Sequence, residues 1–350
     1  MPYKGASTFG DPGVPGFRKR RSREVVAEAA IPVVLMGLGE VGRGIARALV
    51  ARPEFRLVAA VDPAPSLLGK KLDQLIGQPA GGLTVGADPA PGFIEARGGV
   101  VIMATTSSFA EALPVIRRAV KAGCSVVSTC EELAWPWLHH ESEADALDLF
   151  CEAHDVGVVA TGVSPGFSLD RLPAVLAQVV GEVRHVKGLR VVDLAAGGGP
   201  AMRRLGIGLG AEAFEAADQR GELGQAGLAA SAARAAVGCG IEFDEVDEEL
   251  TPLLAEEAGH GVEAGQVAGL QQVARAFSEG REVVRLELQF ALGAENPRDE
   301  VEIDADPPLR AVVPGGIPGQ AATANTVVHA ALAITERRGL ITVLDLPAGR

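Results

Sequence analysis

Two adjacent carboxylates, Glu131 and Glu132, are well placed in this sequence for acid–base chemistry. They follow the predicted buried strand Ser125–Ser128 in the run STCEEL. A carboxylate can act as a general base and can hold a cationic amine or iminium. Acidic residues also favour the first turn of a helix, where the helix dipole stabilises their charge. We therefore predict that Glu131 is catalytic and that Glu132 only stabilises a helix start.

A glycine-rich run lies between the first predicted strand and the helix that follows it. The letters GLGEVG match the dinucleotide-binding pattern GxGxxG. The first glycine allows a tight turn, the second lets the backbone approach a pyrophosphate, and the third allows close helix–strand packing. The helix N-terminus then offers free N–H groups to the phosphates. We predict that the whole run binds a nicotinamide cofactor: Gly37, Leu38, Gly39, Glu40, Val41 and Gly42.

Asp62 lies 20 residues beyond Gly42, at the end of the next predicted strand. A carboxylate there can accept hydrogen bonds from the adenosine ribose, and it would repel a 2′-phosphate. Asp62 therefore favours NAD over NADP. The alternative is that Asp62 caps a turn before Pro63, and nearby lysines could still admit NADP.

Other polar residues follow later predicted strands. Ligands of open α/β sheets bind at the carboxyl ends of the strands. We therefore predict that a second group of residues faces the nicotinamide half of the cofactor: Ala104, Thr105, Thr106, Ser107 and Thr129.

The elements that must position these residues form two units. Apolar runs alternate with helical patterns from residue 31 to about 161, which predicts a Rossmann doubly wound parallel sheet. Longer alternating strands are predicted over 183–194, 283–292 and 300–303, with a Gly/Ala-rich helical region at about 200–280. This pattern is typical of an α+β domain built on an antiparallel sheet. The overall class is α/β, with an N-terminal Rossmann domain and a second, α+β substrate domain.

A turn-forming run, VPGGIPG, occupies residues 313–319 and precedes a predicted helix over 321–336. We expect this late helix to pack back onto the first domain. The predicted domains are an N-terminal extension at 1–30, a dinucleotide-binding domain at 31–165 plus 315–350, and a substrate domain at 166–314.

Composition excludes several classes of function. The net charge of −13 argues against nucleic acid as a partner, because phosphates require a basic surface. No apolar stretch is long enough to span a membrane, and the basic run at 18–23 is not followed by the apolar segment of an export signal. Cysteines without metal-ligand spacing predict a reducing, cytoplasmic compartment and no metal site: Cys124, Cys130, Cys151 and Cys239.

Three separated stretches carry a resemblance to a known family. VVSTCEEL at 126–133, ATGVSPGFSLDRLP at 160–173 and VPGGIPGQAATANTVVHA at 313–330 resemble the 2,4-diaminopentanoate dehydrogenase family. That family includes NAD(P)-dependent amine dehydrogenases with a dihydrodipicolinate-reductase-like N-terminal domain. The resemblance implies oxidative deamination of an amine to a ketone or aldehyde, and the reverse reductive amination with ammonia.

The resemblance also implies roles for particular residues. The active-site Glu of the family falls on Glu131, and Asn325 joins the cofactor-binding residues. The residues expected to line the substrate cleft are Cys130, Thr161, Gly162, Ser164, Pro165, Phe167 and Arg203. The expected partners are a small amine or ketone, ammonia and a second copy of the chain in a dimer.

One departure from the family pattern leaves the substrate open. The family has Gly-His-Val-Gly where this chain has Gly224-Gln225-Ala226-Gly227. An alternative of the same fold is a reductase of an amino-acid or cyclic imine substrate, similar to dihydrodipicolinate reductase or diaminopimelate dehydrogenase. An Arg-rich, carboxylate-binding pocket would favour that alternative. A third possibility, from another class, is a dinucleotide-binding regulator without turnover.

Overall fold

A computed structural model describes residues 30–196 and 199–349 of the chain, which form two six-stranded sheets. Nearly all of the predicted N-terminal extension lies outside the described residues. The elements of the first half are β1 (Ile31–Met36), α1 (Glu40–Val50), β2 (Phe55–Val61), α2 (Leu72–Ile76), α3 (Ala90–Glu95), β3 (Val100–Met103), α4 (Phe109–Lys121), β4 (Ser125–Ser128), α5 (Glu141–Ala153) and β5 (Gly157–Ala160).

Within the described residues, the second half of the chain contains the remaining seven strands and five α-helices. They are α6 (Arg171–Ala177), β6 (His185–Asp193), α7 (Gly199–Arg204), α8 (Ala211–Gln219), α9 (Leu228–Gly238), β7 (Glu245–Leu254), β8 (Val267–Ser278), β9 (Arg281–Ala291), β10 (Arg298–Asp304), β11 (Leu309–Pro314), α10 (Gly319–Ala333) and β12 (Gly339–Ile341).

The first sheet is parallel throughout and has the strand order β2-β1-β3-β4-β5-β12. Strands β3, β4 and β5 are buried along their whole length, which explains their continuous apolar character. Helices α3, α4 and α5 pack on one face, and α1 and α10 pack on the other. This arrangement confirms the predicted doubly wound Rossmann fold.

The late helix α10 packs on the first sheet, as expected. Its buried residues Ala324, Val327 and Val328 share a core with Ile45 and Leu49 of α1. After α10 the chain adds β12 to the sheet beside β5, a strand that the sequence analysis missed. The first sheet therefore draws on both ends of the described chain.

The second sheet has the order β11-β10-β6-β9-β8-β7 and is covered on one face by α9. The prediction of an antiparallel sheet is corrected in one respect, because β6 and β9 pair in parallel. The predicted helical region over 200–280 is wrong in its second half, which forms β7 and β8. Helix propensity is a weak signal that tertiary pairing overrides, and the Ala-containing β8 is held between β7 and β9 by antiparallel ladders on both sides.

Candidate active site

The carboxyl ends of four neighbouring strands in the first sheet lie in one row. The backbone N–H groups of Ala104, Thr129 and Thr161, each just after a strand, donate to the carbonyl that ends the adjacent strand, at 2.8, 2.9 and 2.9 Å. The glycine loop after β1 begins the same row. Predicted site residues that are far apart in sequence are therefore brought to one edge of the sheet.

The glycine loop has the close packing that the pattern predicts. Gly37 adopts a φ of +85°, and a Cβ there would lie 2.2 Å from the Ala104 carbonyl oxygen and 3.2 Å from Thr105 Cγ2. A Cβ at Gly42 would lie 1.8 Å from the Gly37 oxygen, whereas a Cβ at Gly39 would meet nothing within 4 Å. Two of the glycines thus permit internal packing, and the third leaves open space where a ligand can approach the backbone at the start of α1.

Asp62 ties the glycine loop to the turn after β2. Its Oδ2 accepts the Leu38 N–H at 2.7 Å, and its Oδ1 accepts the Ala64 N–H at 2.9 Å. Each carboxylate oxygen can accept more than one hydrogen bond. Asp62 therefore caps its own turn, as the alternative interpretation expected, and it still lies beside the loop where a ribose would be recognised.

The loop between β3 and α4 connects the glycine loop to the STCEEL segment. The Ser107 carbonyl accepts the Cys130 Sγ–H at 3.1 Å and the Glu132 N–H at 3.2 Å. Nearby, the Thr106 hydroxyl donates to Glu111 Oε2 at 2.6 Å. The two contacts of the Ser107 carbonyl fix the two loops against each other at the edge of the sheet.

Glu131 is half-buried beside this junction. Burial raises the pKa of its carboxyl group above the usual value, against the opposing effects of a hydrogen bond from the Ser107 hydroxyl and the positive charge of Arg204. A Cβ at Gly227 would lie 3.2 Å from Glu131 Cβ and 2.8 Å from Pro165 Cγ. Glu131 therefore sits between the two sheets, in surroundings suited to a general base.

Glu132 has a different role. Its Oε2 accepts the Phe109 N–H at 2.7 Å and lies 3.9 Å from His140 Nε2. The carboxylate thus stabilises the N-terminus of α4. Glu132 is itself the first residue of a short 3-10 helix, Glu132–Ala134, so it lies at a helix start as predicted, and its carboxylate also binds the start of the helix before it in the chain.

A cavity of about 520 Å³ lies between the two sheets at this edge, and its lining includes Ser107, Glu132, Arg204, Gln225 and Glu248. Arg204 Nη1 donates to Ser107 Oγ at 3.3 Å. Arg204, rather than the predicted Arg203, is the arginine that lines this cavity. An adjoining cavity of about 490 Å³ is lined by Trp135 among others.

The segment 162–167 divides its residues between two places. Pro165 and Glu131 both pack against Gly227. The Ser164 carbonyl accepts a hydrogen bond from Gln225 Nε2. By contrast, two predicted substrate-binding residues line a separate cavity of about 600 Å³ next to α10: Thr161 and Phe167. Gly162 packs within its own loop: a Cβ at this position would lie 3.0 Å from the Pro165 carbonyl oxygen.

Asn325 lies on α10, at the exposed surface of the helix. Its Nδ2 donates to the Ala321 carbonyl at 3.0 Å. It lines a further cavity, of about 730 Å³, together with Glu40 and Arg43. Asn325 is therefore near the start of α1, where the predicted cofactor-binding glycine loop ends.

Sequence reasoning missed Glu248 and Gln272. Glu248 Oε1 accepts the Gln272 amide at 2.6 Å, and its Oε2 accepts the Ala229 N–H at 2.9 Å. Burial raises the pKa of the Glu248 carboxyl group. The acidic run around Glu248 resembles a solvated surface, and only the pairing of β7 with β8 places the two side chains together.

Within residues 30–196 and 199–349, no three His, Cys, Asp or Glu side chains are grouped closely enough to hold a metal ion. Over the same residues, no helix has the length and apolar character needed to cross a membrane.

Comparison with known families gives a match over the second half of the chain. Residues 167–350 match the family described as the 2,4-diaminopentanoate dehydrogenase C-terminal domain. The 2,4-diaminopentanoate dehydrogenase of Acetoanaerobium sticklandii is 28% identical over 337 residues, which cover 91% of this chain and 94% of that protein. An amine dehydrogenase of Streptomyces virginiae is 29% identical over 192 residues, or 51% of each chain.

Among solved structures, an amine dehydrogenase from Mycobacterium smegmatis has the same fold. It superimposes with a TM-score of 0.80 and 19% sequence identity, covering 93% of this chain and 98% of its own. The biliverdin reductase of Synechocystis is a more distant match, with a TM-score of 0.54 and 12% identity over 87% of this chain and 90% of its own.

Proposed function

This chain belongs to the 2,4-diaminopentanoate dehydrogenase family, and we propose that it is an amine dehydrogenase in which Glu131 is the catalytic residue. It is an NAD(P)-dependent oxidoreductase acting on CH–NH2 groups. The observation that carries the assignment of Glu131 is its position: a half-buried carboxylate with a raised pKa stands between the sheets, in the row of strand ends that begins with the glycine loop.

The residues of this chain fit a nicotinamide dinucleotide. The open backbone at Gly39 and the N-terminus of α1 would hold the pyrophosphate, and Asp62 would hold the adenosine ribose. The residues after β3 and β4, Ala104–Ser107 and Thr129, would face the nicotinamide half. When bound, the cofactor accepts a hydride from the amine carbon or returns it in the reverse direction.

Glu131 would handle the proton and the developing positive charge. In deamination the amine loses a hydride and becomes a cationic iminium, which the carboxylate stabilises. Water then adds to the iminium carbon, and ammonia leaves as the ketone forms. Glu131 accepts a proton from the attacking water and passes it to the nitrogen of the resulting carbinolamine, so that ammonia can leave and take up the hydroxyl proton as ammonium. In the reverse direction Glu131 accepts a proton from ammonium. Because a general base works best with a pKa near the working pH, the raised pKa of Glu131 suits this role.

The test replaces Glu131 by Gln, which preserves size and removes basicity. Amine-dependent NAD reduction should fall by roughly 10²–10⁴-fold, the typical contribution of general-base catalysis. Binding of NADH, followed by its fluorescence, should persist. Glu132→Gln is the matched control and should lose much less activity, because Glu132 contacts the start of α4. Near-normal turnover in Glu131→Gln would contradict the assignment.

We also propose that the cofactor is NAD rather than NADP. The carboxylate of Asp62, anchored by Leu38 and Ala64, would accept from a ribose 2′-hydroxyl and repel a 2′-phosphate. Asp62→Ala should therefore narrow the ratio of kcat/KM between NAD and NADP, and each tenfold change corresponds to about 1.4 kcal/mol. A strong preference of the unaltered enzyme for NADP would contradict this proposal.

A second candidate is supported by Arg204, which lines the cleft near Glu131. A guanidinium there suits a substrate that carries a carboxylate, as in an imine formed from an oxo acid. Matched ketones and 2-oxo acids, assayed with ammonia and NADH, separate the two candidates. Preference for oxo acids, lost in Arg204→Met, would favour the second.

Three further assignments are part of the proposal. The cofactor domain spans 31–165 plus 315–350 and the substrate domain spans 166–314, which the two separate sheets support. The chain acts in the cytoplasm. It forms a homodimer.

A further inference from the structure

We propose that Gln272, on β8, is a positioning residue that holds the turn at 224–227 against Glu131. The inference rests on the proposed function, because it takes Glu131 to be the catalytic carboxylate. Gln272 itself does not belong to the cavity lining, and it would act through the backbone of Gln225.

The side-chain amide of Gln272 makes three hydrogen bonds. The side chain is buried, at 1% exposure. Its Oε1 accepts the Gln225 N–H at 2.8 Å, while its Nε2 donates to the Gln225 carbonyl at 2.8 Å and to Glu248 Oε1 at 2.6 Å. One side chain thus binds both backbone groups of a single residue. If the amide oxygen and nitrogen of Gln272 were exchanged, its NH2 group would face the Gln225 N–H and its oxygen would face the Gln225 carbonyl. The amide can therefore make these hydrogen bonds in one orientation.

The turn held in this way closes one side of the Glu131 site. The side chain of Gln225 donates from Nε2 to the Ser164 carbonyl, which joins the turn to the segment between the sheets. Two residues later, Gly227 adopts a φ of +89°, and a Cβ there would lie 3.2 Å from Glu131 Cβ and 2.8 Å from Pro165 Cγ. A shift of the turn would therefore open the surroundings of Glu131 to water.

Gln272→Met is the primary test, because methionine matches the length of glutamine and makes none of these hydrogen bonds. Gln271→Met is the matched control: it is the same change on the same strand, and successive strand residues face opposite sides of the sheet. The chain has two tryptophans, Trp135 and Trp137. Trp135 lines the cavity that Gly227 also lines, so tryptophan emission reports on the turn without any need for turnover.

The expected result has three parts. Gln272→Met should shift tryptophan emission to longer wavelength. It should also reduce kcat by about tenfold, which is less than the roughly 10²–10⁴-fold loss expected when the general base itself is removed. The acidic limb of its pH–rate profile should move to lower pH. Burial raises the pKa of Glu131 in the unaltered enzyme, and water that enters beside Glu131, between its charged neighbours Arg204 and Glu132, would favour the charged carboxylate. The dissociation constant of NADH should not change, and Gln271→Met should behave as the unaltered enzyme in all three measurements.

Two outcomes would overturn the inference. One is an unshifted emission spectrum in Gln272→Met. The other is a pH–rate profile that superimposes on that of the unaltered enzyme even when thermal stability falls, since a purely structural role predicts that result. If Gln272→Met does not fold, Gln225→Met is the second test. It removes the hydrogen bond from the turn to the Ser164 carbonyl and should give the same shifts in tryptophan emission and in the pH–rate profile. An enzyme that oxidises no amine contradicts the proposed function instead, and the emission comparison still decides whether Gln272 holds the turn.

Discussion

The chain passes between the two sheets at 162–167 and again at 315–319, and a buried Arg–Asp pair holds each crossing differently. At the first, Asp170 Oδ2 accepts the Gly166 N–H at 2.8 Å and the Ser231 hydroxyl at 3.2 Å, and it also pairs with Arg234. Both side chains of the pair are fully buried. Burial lowers the pKa of the Arg234 guanidinium, although Asp170 opposes the effect.

At the second crossing, Arg190 Nη1 donates to both oxygens of Asp299, at 2.6 and 2.8 Å. Its Nη2 donates to the Ile317 carbonyl at 2.8 Å, and the Ile317 N–H donates to Asp299 Oδ2 at 2.5 Å. Both backbone groups of Ile317 are bound by the pair, and each charged side chain has several partners.

The difference lies in how completely the cations are satisfied. Nε and Nη1 of Arg234 have no hydrogen-bond partner within the part of the chain that the structure describes. A buried charge without full hydrogen bonding is costly, and such groups in native structures call for a functional explanation. The costly pair supports the crossing that packs beside Glu131, whereas the well-satisfied pair anchors the crossing that leads into α10. The comparison suggests that precision near the site, rather than stability, explains Asp170–Arg234.

The largest expected effect comes from removing the negative charge at the first crossing. Asp170→Asn leaves the Arg234 cation fully buried without a counter-charge, so the free energy of unfolding should fall by about 4–5 kcal/mol. Chemical denaturation measures the loss. The double variant Asp170→Leu/Arg234→Met should recover most of the stability, because apolar replacement of a buried pair is often neutral. Turnover should stay low in the double variant, and recovery of both properties would mean that the pair has no role at the site.

Asp299→Asn should have a smaller effect, about 3 kcal/mol, the lower end for breaking a buried ion pair. Arg190 keeps its bond to the Ile317 carbonyl, and its side chain is 8% exposed. Hydrogen exchange should speed up at 315–319 and not at 162–167. A loss equal to that of Asp170→Asn would show that the two crossings are held equally.

Protonation of Glu131, which packs beside the first crossing, should make the stability of the protein depend on pH. A raised pKa means that the folded chain binds more protons than the unfolded chain at pH values between the two pKa values, so stability falls as pH rises through that window. Glu131→Gln removes this penalty. The variant should be more stable than the unaltered protein at pH 7 and equally stable at about pH 4, below the ordinary carboxyl pKa. Each tenfold difference in the proton affinity of Glu131 between the folded and unfolded chain corresponds to about 1.4 kcal/mol of stability. Thermal unfolding at both pH values is the measurement, and an equal gain at both would contradict it.

The smallest effect concerns a single hydrogen bond that ties the first crossing to α10. The Thr323 hydroxyl accepts the Val163 N–H at 3.3 Å. Thr323→Val keeps the shape and removes the acceptor, which should cost about 1 kcal/mol. Thr326→Val is the control, since the Thr326 hydroxyl bonds only within its own helix, to the Thr323 carbonyl at 2.9 Å. A larger loss of stability in Thr326→Val than in Thr323→Val would contradict the proposed role of Thr323 in joining the first crossing to α10.

Much of the first sheet could be predicted because its strands are buried on both faces and are therefore continuous apolar runs. The bounds predicted for β4, and with them the place of Glu131, are those observed. Glu248 and Gln272 could not be found in this way. They lie 24 residues apart and meet only through the pairing of β7 with β8, and a polar run such as EVDEELTPLL gives no sign of which partner strand it will find. The two Arg–Asp pairs are invisible for the same reason, since Arg190 and Asp299 are separated by 109 residues.

The return of α10 and β12 to the first sheet affects how the protein is made. Val127 and Val159 in the middle of that sheet share a core with Val327 and Val328 of α10. During synthesis on the ribosome, the N-terminal half emerges first, and α1 covers part of this face of the sheet, but the part that packs against α10 stays uncovered until α10 follows. Domains usually fold as units in the order of synthesis, and exposed apolar surface favours aggregation. The core of the nucleotide-binding half is therefore complete only after residues 319–341 have emerged, and a product truncated before residue 319 should expose this apolar surface and aggregate more readily than the longer chain.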